Sequence, residues 1–161
     1  LAYNRNHKLN CKVARYHNIF GPKGTWQGGK EKAPAAVCRK VAMTRNGEAM
    51  EVWGDGMQTR SFLYIDECVE ATTRLMRSEF EGPVNIGSDE MVTINKLVEM
   101  VSDIASKHVK VKHIPGPIGV KGRNSDNKLI MQKLGWAPSQ SLFDGLTETY
   151  SWISSQVEAL S

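Results

Sequence analysis

The sequence predicts an α/β fold, because segments with helical periodicity alternate with short segments that resemble strands. The clearest helix follows Thr93, after which apolar residues recur with the 3.6-residue period as far as Ala105. The clearest strand is 109–114, where valine and lysine alternate as on a half-exposed strand. Turn sequences such as Gly54-Asp55-Gly56 separate these segments.

The first third of the chain contains a predicted strand, a loop and a helix. Residues 1–10 are typical of the end of a helix followed by a turn, and residues 11–19 are predicted to form one strand. Residues 20–33 form a loop rich in glycine and lysine. A helix is predicted to begin near Pro34, because proline is well tolerated in a first helical turn.

The middle of the chain predicts three more strands or extended segments, at 50–53, 60–65 and 83–86. Asp66 can cap a helix that follows the second of them. The face expected to point inward on that helix consists of Val69, Thr72, Leu75 and Met76.

The last third predicts a loop and two helices. Residues 118–124 form the loop. Ser125 is predicted to cap a short helix that ends at Leu134, with Gly135 just beyond it. Ser141 opens the final helix, whose expected inward residues are Leu142, Leu146, Tyr150, Ile153 and Val157.

Composition places the chain among soluble globular proteins. The 161 residues are 40% hydrophobic and 24% charged, and no segment approaches the ~20 apolar residues of a membrane span. Its three cysteines are scattered, which disfavours a zinc site and suits a reducing compartment. We therefore expect a cytoplasmic location, no metal and no membrane partner. Because the first residue is Leu, we expect the chain to be processed or to be part of something longer.

Charge is concentrated at the start of the chain. Residues 1–40 carry nine Lys or Arg and one acid, whereas residues 41–161 carry twelve and sixteen. Glycine and proline interrupt the basic residues, which match no nucleic-acid module, so no nucleic-acid partner is expected. Cations, a carboxylate and an amide in this stretch are instead suited to an anionic small molecule; they are Asn18, Lys30, Glu31, Lys32 and Lys40.

A dinucleotide fingerprint is missing. The glycines at 21, 24, 28 and 29 follow a predicted strand, but they do not have the Gly-x-Gly-x-x-Gly spacing. We therefore expect no cofactor-binding residues in this chain.

Several motifs resemble the C-terminal half of the extended short-chain dehydrogenase/reductases, the NAD-dependent epimerase/dehydratase family. They are Arg15-x-x-Asn18-x-x-Gly21-Pro22, Trp53-Gly54-Asp55-Gly56, Arg60-Ser61-Phe62, Tyr64-Ile65-Asp66 and Asn85-Ile86-Gly87. The resemblance implies that residues 1–161 form the end of a Rossmann-type sheet and a small α/β substrate-binding lobe, without the NAD-binding N-terminal half.

Longer strings resemble the family members that act on GDP-mannose. They are Gly24 to Ala36, Ile86 to Met91 and Gly119 to Asn127. The resemblance implies NAD-dependent epimerisation at C3 and C5: NAD transiently oxidises C4, and a cysteine and a lysine then move protons at C3 and C5. Lys32 matches that lysine, whereas the catalytic cysteine and the Tyr-x-x-x-Lys pair match nothing here. The isolated chain is therefore expected to be inactive, and the full-length enzyme to be a homodimer.

The same resemblance implies a set of substrate contacts. They are Asn18, Glu31, Lys32, Ala33, Lys40, Gln58, Thr59, Arg60 and Arg123. From the residues alone, other readings stay open: Lys32 as a solvated loop lysine, Asn18 as a turn former, and the two arginines as surface ion pairs. Of the four tryptophans, only Trp26 is singled out beside the loop, and the others are expected to be packing residues.

Two other functions remain open. One is another nucleotide-sugar epimerase, dehydratase or decarboxylase of the same superfamily, acting on a different nucleotide. The other is a non-catalytic module that binds a nucleotide sugar or a phosphate.

Overall fold

The computed structural model describes residues 2–117 and 119–160, and it confirms the α/β class. In these residues the helices are α1 (Ala2–His7), α2 (Ala33–Met43), α3 (Ile65–Arg77), α4 (Ile94–Ile104), α5 (Lys128–Leu134) and α6 (Leu142–Glu158). The strands are β1 (Ala14–Tyr16), β2 (Ile19–Phe20), β3 (Ala49–Trp53), β4 (Thr59–Ser61), β5 (Leu63–Tyr64), β6 (Val84–Ile86), β7 (Met91–Thr93), β8 (Lys110–Ile114) and β9 (Gly122–Arg123).

One core lies where parallel strand pairs meet α3 and α5. Strand β1 pairs with β6 and β2 pairs with β5, both in parallel, as expected for strands joined by helical crossovers. Side chains from these elements form a buried cluster. It contains Leu63, Cys68, Ala71, Leu75, Val84, Ile86, Ile130 and Trp136.

A second core belongs to the lobe that carries the candidate site. Helices α2, α4 and α6 pack together, and β3 pairs in parallel with β8. A mixed sheet with the order β7-β4-β9 lies beside them. The buried residues include Val41 from α2, Leu97 from α4, and Leu146 and Ile153 from α6. The predicted inward face of the last helix is confirmed.

The prediction of one strand over 11–19 is wrong, because the strand is interrupted at Asn18 and two short strands form instead. That residue has a φ of +45°, a left-handed conformation that asparagine tolerates better than most residues. Its Nδ2 donates to the carbonyl oxygen of Ser61 over 3.0 Å, and its own carbonyl accepts from the amide of Leu63. The segment 60–65 is likewise divided, into β4 and β5.

The predicted start of helix α3 is wrong, and its predicted inward face is right only in part: Leu75 is buried and Thr72 is half-buried. Helix α3 begins at Ile65 with Tyr64 as its N-cap residue, so Asp66 lies in the first turn. Val69 and Met76 are 55% and 69% exposed, and the helix turns Glu67 inward instead. Glu67 can be buried there because backbone amides of Ser139 and Gln140 donate to its carboxylate.

The predicted helix ends are confirmed where the capping residue lies next to the helix in sequence. The hydroxyl groups of Thr93 and Ser141 accept from backbone amides three residues on, and Gly135 has the left-handed conformation expected after a helix. Ser125 is not a cap, because α5 starts after Asn127. The predicted loop 118–124 contains β9, and its residue 118 lies outside the described residues.

Replacing Lys107 with methionine is expected to lower the free energy of unfolding by about 1–3 kcal/mol. Its ammonium group donates to the carbonyl oxygens of Val41, Ala42 and Thr44 at the end of α2, over 2.8–2.9 Å. Methionine keeps most of the apolar stem of lysine but removes the ammonium donors. Urea unfolding would measure the loss, with exposed Lys110→Met on β8 as the control. Equal stabilities of the two variants would contradict this role.

Candidate functional site

A pocket of about 490 Å³ opens between α2, β3 and the segment that leads into β4. Its walls are largely apolar, because small side chains of α2 and apolar side chains of β3 both line it. They include Ala33, Ala36, Val37, Met50, Val52, Trp53, Ile94 and Pro117. Lys40, which also lines the pocket, joins the two elements by donating to the carbonyl oxygen of Glu51 over 2.8 Å.

Glu31 brings a fixed negative charge to the pocket. Its side chain is 7% exposed, and Arg39 donates to Oε1 over 2.9 Å. The backbone amide of Glu31 itself is the main reason that the pKa of this carboxyl lies below its usual value. Arg39 and the amide of Gly29 lower that pKa further, against the opposing effect of burial. The second oxygen, Oε2, is buried and lacks a hydrogen bond of good geometry.

Gln58 presents a second unpartnered acceptor in the same pocket. Its Nε2 donates to the carbonyl oxygen of Trp53 over 3.4 Å, whereas its Oε1 is buried without a hydrogen bond. A buried polar atom left unpaired costs about 1–3 kcal/mol. Both residues line the pocket, so a small rotation of either side chain would turn its oxygen toward a ligand that carries N–H or O–H donors.

Trp53 is a wall of the pocket that the sequence analysis assigned to packing. Its side chain is 54% exposed, and it lies so close to Gly116 that a Cβ there would be 2.7 Å from Cγ of the ring. Trp26, which the sequence singled out, packs edge-on against Trp152 with ring centres 6.5 Å apart. The alternation along β3 could have indicated an exposed Trp53, because every second residue of this strand is exposed and Trp53 is one of them.

Two arginines lie side by side next to the pocket. Strand β4 pairs with β9 in parallel, and Arg60 is directly opposite Arg123. Like charges in opposite positions of neighbouring strands destabilise a sheet. The pair is therefore suited to an anion that bridges both guanidinium groups, such as a diphosphate.

The structure brings most of the predicted site residues together in two adjoining groups. Glu31, Ala33, Lys40 and Gln58 line the pocket. Asn18, Thr59, Arg60 and Arg123 lie along or beside β4. The run Gln58-Thr59-Arg60 joins the two groups.

Lys32 is the exception among the predicted residues. It occupies the N-cap position of α2 and is exposed, between two residues that line the pocket. Its side chain makes no capping hydrogen bond, because an ammonium group has no acceptor to offer the free N–H groups of a helix start.

Other reactive groups do not compete with this site. Burial raises the pKa of the Cys38 thiol to about 12, and burial likewise raises the pKa of Cys68. Among the described residues, no group of three or more His, Cys, Asp or Glu could hold a metal ion. None of the helices in the described ranges is long and apolar enough to cross a membrane.

Sequence comparisons relate this chain to enzymes of nucleotide sugars. Residues 1–87 match the NAD dependent epimerase/dehydratase family. GDP-mannose 3,5-epimerase of Arabidopsis thaliana is 56% identical over 97% of this chain and 41% of that protein. UDP-glucuronic acid decarboxylase 6 of the same plant is 33% identical over 89% of this chain and 41% of that protein. The chain spans less than half the length of these curated relatives.

Structural comparison gives the same result. UDP-glucose 4-epimerase from Thermotoga maritima, solved with UDP-glucose, superposes with a TM-score of 0.87 at 27% identity. The match covers 97% of this chain and 50% of that one. It confirms the prediction that the fold corresponds to half of an extended short-chain dehydrogenase/reductase.

Proposed function

The chain belongs to the NAD-dependent epimerase/dehydratase family, and from this we propose that it is the substrate-binding half of an enzyme that epimerises GDP-mannose at C3 and C5. The higher identity to a GDP-mannose epimerase than to UDP-sugar decarboxylases supports that substrate. The observation that carries the proposal is the pair of unpartnered acceptors beside the paired arginines.

Each group of residues has a part in this proposal. The guanine base carries N–H donors at N1 and N2, which suit Oε2 of Glu31 and Oε1 of Gln58. Uracil has a single N–H between two carbonyls and matches only one of them. Trp53 offers its ring to the base, and Arg60 and Arg123 hold the diphosphate.

For Lys32 to act on the sugar, the sugar must fold back from the arginine pair toward the pocket, because Lys32 lies between Glu31 and Ala33, which line it. Lys32 moves the proton at a sugar carbon, and Asn18 and Thr59 contact the sugar-phosphate end. Lysine can serve as an acid or base when burial or nearby cations destabilise its charged form. Closing the substrate site over Lys32 would provide that environment.

NAD does not fit the residues of this chain. The glycines at 21, 24, 28 and 29 lack the spacing of a dinucleotide-binding loop, and at Gly21 the backbone is packed against α3, since a Cβ there would lie 2.5 Å from Cγ2 of Ile65. We therefore assign NAD to the N-terminal half of the relatives' fold, and we derive no step of hydride transfer here. The proposal includes a homodimer of the full-length enzyme.

This chain is expected to bind GDP at least tenfold more tightly than UDP. Titration calorimetry with each nucleotide would measure the ratio, and Glu31→Gln should reduce it because an amide weakens the acceptor. Exposed Glu48→Gln is the matched control. Equal or tighter binding of UDP would indicate a different nucleotide sugar as the substrate.

An activity assay tests whether this chain alone is a complete enzyme. With NAD and GDP-mannose, the isolated chain should form no epimerised product in an NMR assay. Detection of product would contradict the assignment of the cofactor to another part of the fold.

A further inference from the structure

A four-residue turn controls the spacing between two walls of the pocket. Residues 54–57, called here the pocket turn, connect Trp53 at the end of β3 with Gln58 before β4. The amide of Gly54 donates to the carbonyl oxygen of Ile114 over 2.9 Å. The conformation of the pocket turn therefore sets how the Trp53 ring and the Gln58 carboxamide face a ligand.

Asn95, in the first turn of α4, holds the pocket turn at two successive carbonyls. Its backbone amide donates to the oxygen of Gly56 over 3.0 Å, and its Nδ2 donates to the oxygen of Asp55 over 2.9 Å. Gly56 is buried with a φ of +69°, and a Cβ there would lie 1.9 Å from Oδ1 of Asn95. The turn and the carboxamide are thus packed directly against each other.

His113, on β8, fixes the orientation of that carboxamide. Its Nε2 lies 3.0 Å from Oδ1 of Asn95. Because Nδ2 already donates to Asp55, Oδ1 must be the acceptor, and the histidine carries its proton on Nε2. Neither Asn95 nor His113 lines the pocket.

We propose that Asn95 is a positioning residue for the nucleoside pocket, which acts by holding the pocket turn, and that His113 orients its side chain. The proposal rests on the proposed function only in naming a nucleoside as the ligand. The mechanical part, the restraint of residues 54–57, holds for the free protein.

Hydrogen exchange of the free protein tests the restraint. Asn95→Ala keeps the backbone hydrogen bond to Gly56 but removes the side-chain hydrogen bond to Asp55. The amides of Gly54 and Met57, which donate to the carbonyl oxygen of Ile114 and to Oδ1 of Asp55, should therefore exchange about tenfold faster. Lys96→Ala, the next position on α4, is the control, since its side chain is exposed and pairs with Glu99. His113→Ala should give a smaller increase, and His113→Gln, which keeps a donor, should restore protection. Unchanged exchange in Asn95→Ala would overturn the proposal.

Calorimetry with two ligands tests the consequence for recognition. Asn95→Ala should weaken binding of GDP about tenfold and binding of inorganic pyrophosphate less than twofold, because Arg60 and Arg123 lie outside the pocket turn. Equal weakening of both ligands would mean a general structural role and would overturn the proposal. Asn95→Asp, which keeps the side-chain volume but replaces the donor, serves as a second variant. If the unaltered chain binds no GDP, the proposed function fails, and the exchange experiment still decides whether Asn95 restrains the turn.

Discussion

Replacing Arg60 with alanine is expected to weaken GDP binding by about 100-fold, which corresponds to about 2.7 kcal/mol. The reason is that a guanidinium group can donate two hydrogen bonds to a diphosphate, and each hydrogen bond to a charged group contributes about 1.5–3 kcal/mol. Arg60 is half-buried, whereas its neighbour Arg123 is exposed, so Arg60 should have the larger effect. Titration calorimetry at fixed salt would measure it.

Two further variants show whether geometry or charge is responsible. Arg60→Lys keeps the charge but not the planar pair of donors, and it should recover only part of the affinity. Arg45→Ala, at an exposed position outside the pocket and the arginine pair, should bind GDP normally. Stability should not fall in Arg60→Ala, because one of two opposed like charges is removed. A loss of affinity below threefold would contradict the anion site.

Glu67→Ala is expected to lower the free energy of unfolding by about 3 kcal/mol. The Oε1 atom of Glu67 accepts from the amide and hydroxyl of Ser139 and from the amide of Gln140, over 2.7–2.9 Å. These bonds fix the segment before α6 against the first turn of α3. Without the carboxylate, the donors of Ser139 and Gln140 lose a charged acceptor, and the segment before α6 is no longer bonded to α3.

Urea unfolding would measure that change in the free energy of unfolding. Two further variants show whether the hydrogen bonds of Glu67 cause it. Glu67→Gln should lose less, since an amide oxygen still accepts. Glu70→Gln, one turn further along α3, removes only an exposed pairing with Arg74 and should stay within about 0.5 kcal/mol of the parent. If the two glutamine variants were equally stable, Glu67 would not anchor α6.

The parts of the fold that the sequence predicted are those that depend on neighbouring residues. The caps at Thr93 and Ser141 and the periodic face of α4 belong to this class. Asparagine is a turn former, but the break at Asn18 was missed because Ser61, the partner of its side chain, is far along the chain. The inward Glu67 was missed for the same reason.

The candidate site likewise combines features that neighbouring residues indicate with features that depend on residues far apart in sequence. Motif resemblance predicted Glu31, Gln58 and the two arginines as site residues, but not their arrangement. That Arg60 lies opposite Arg123 depends on the register of β4 with β9, which connects distant segments. Trp53 was assigned to packing, although the alternation along β3 places it on the exposed face of the strand.

The separation of Gln58 and Arg60 by one residue has a consequence for how the enzyme family can change its ligands. Along an extended chain, alternate residues face the same side and lie about 7 Å apart. Under the proposed function, the distance between the base contact Gln58 and the phosphate contact Arg60 is thus set by main-chain geometry, whichever side chains occupy the loops around it. Inserting one residue between them would turn one contact to the opposite side of the sheet. On that proposal, the length of the ligand is inherited with the backbone, while the choice of base and sugar is left to side chains that can be exchanged one at a time.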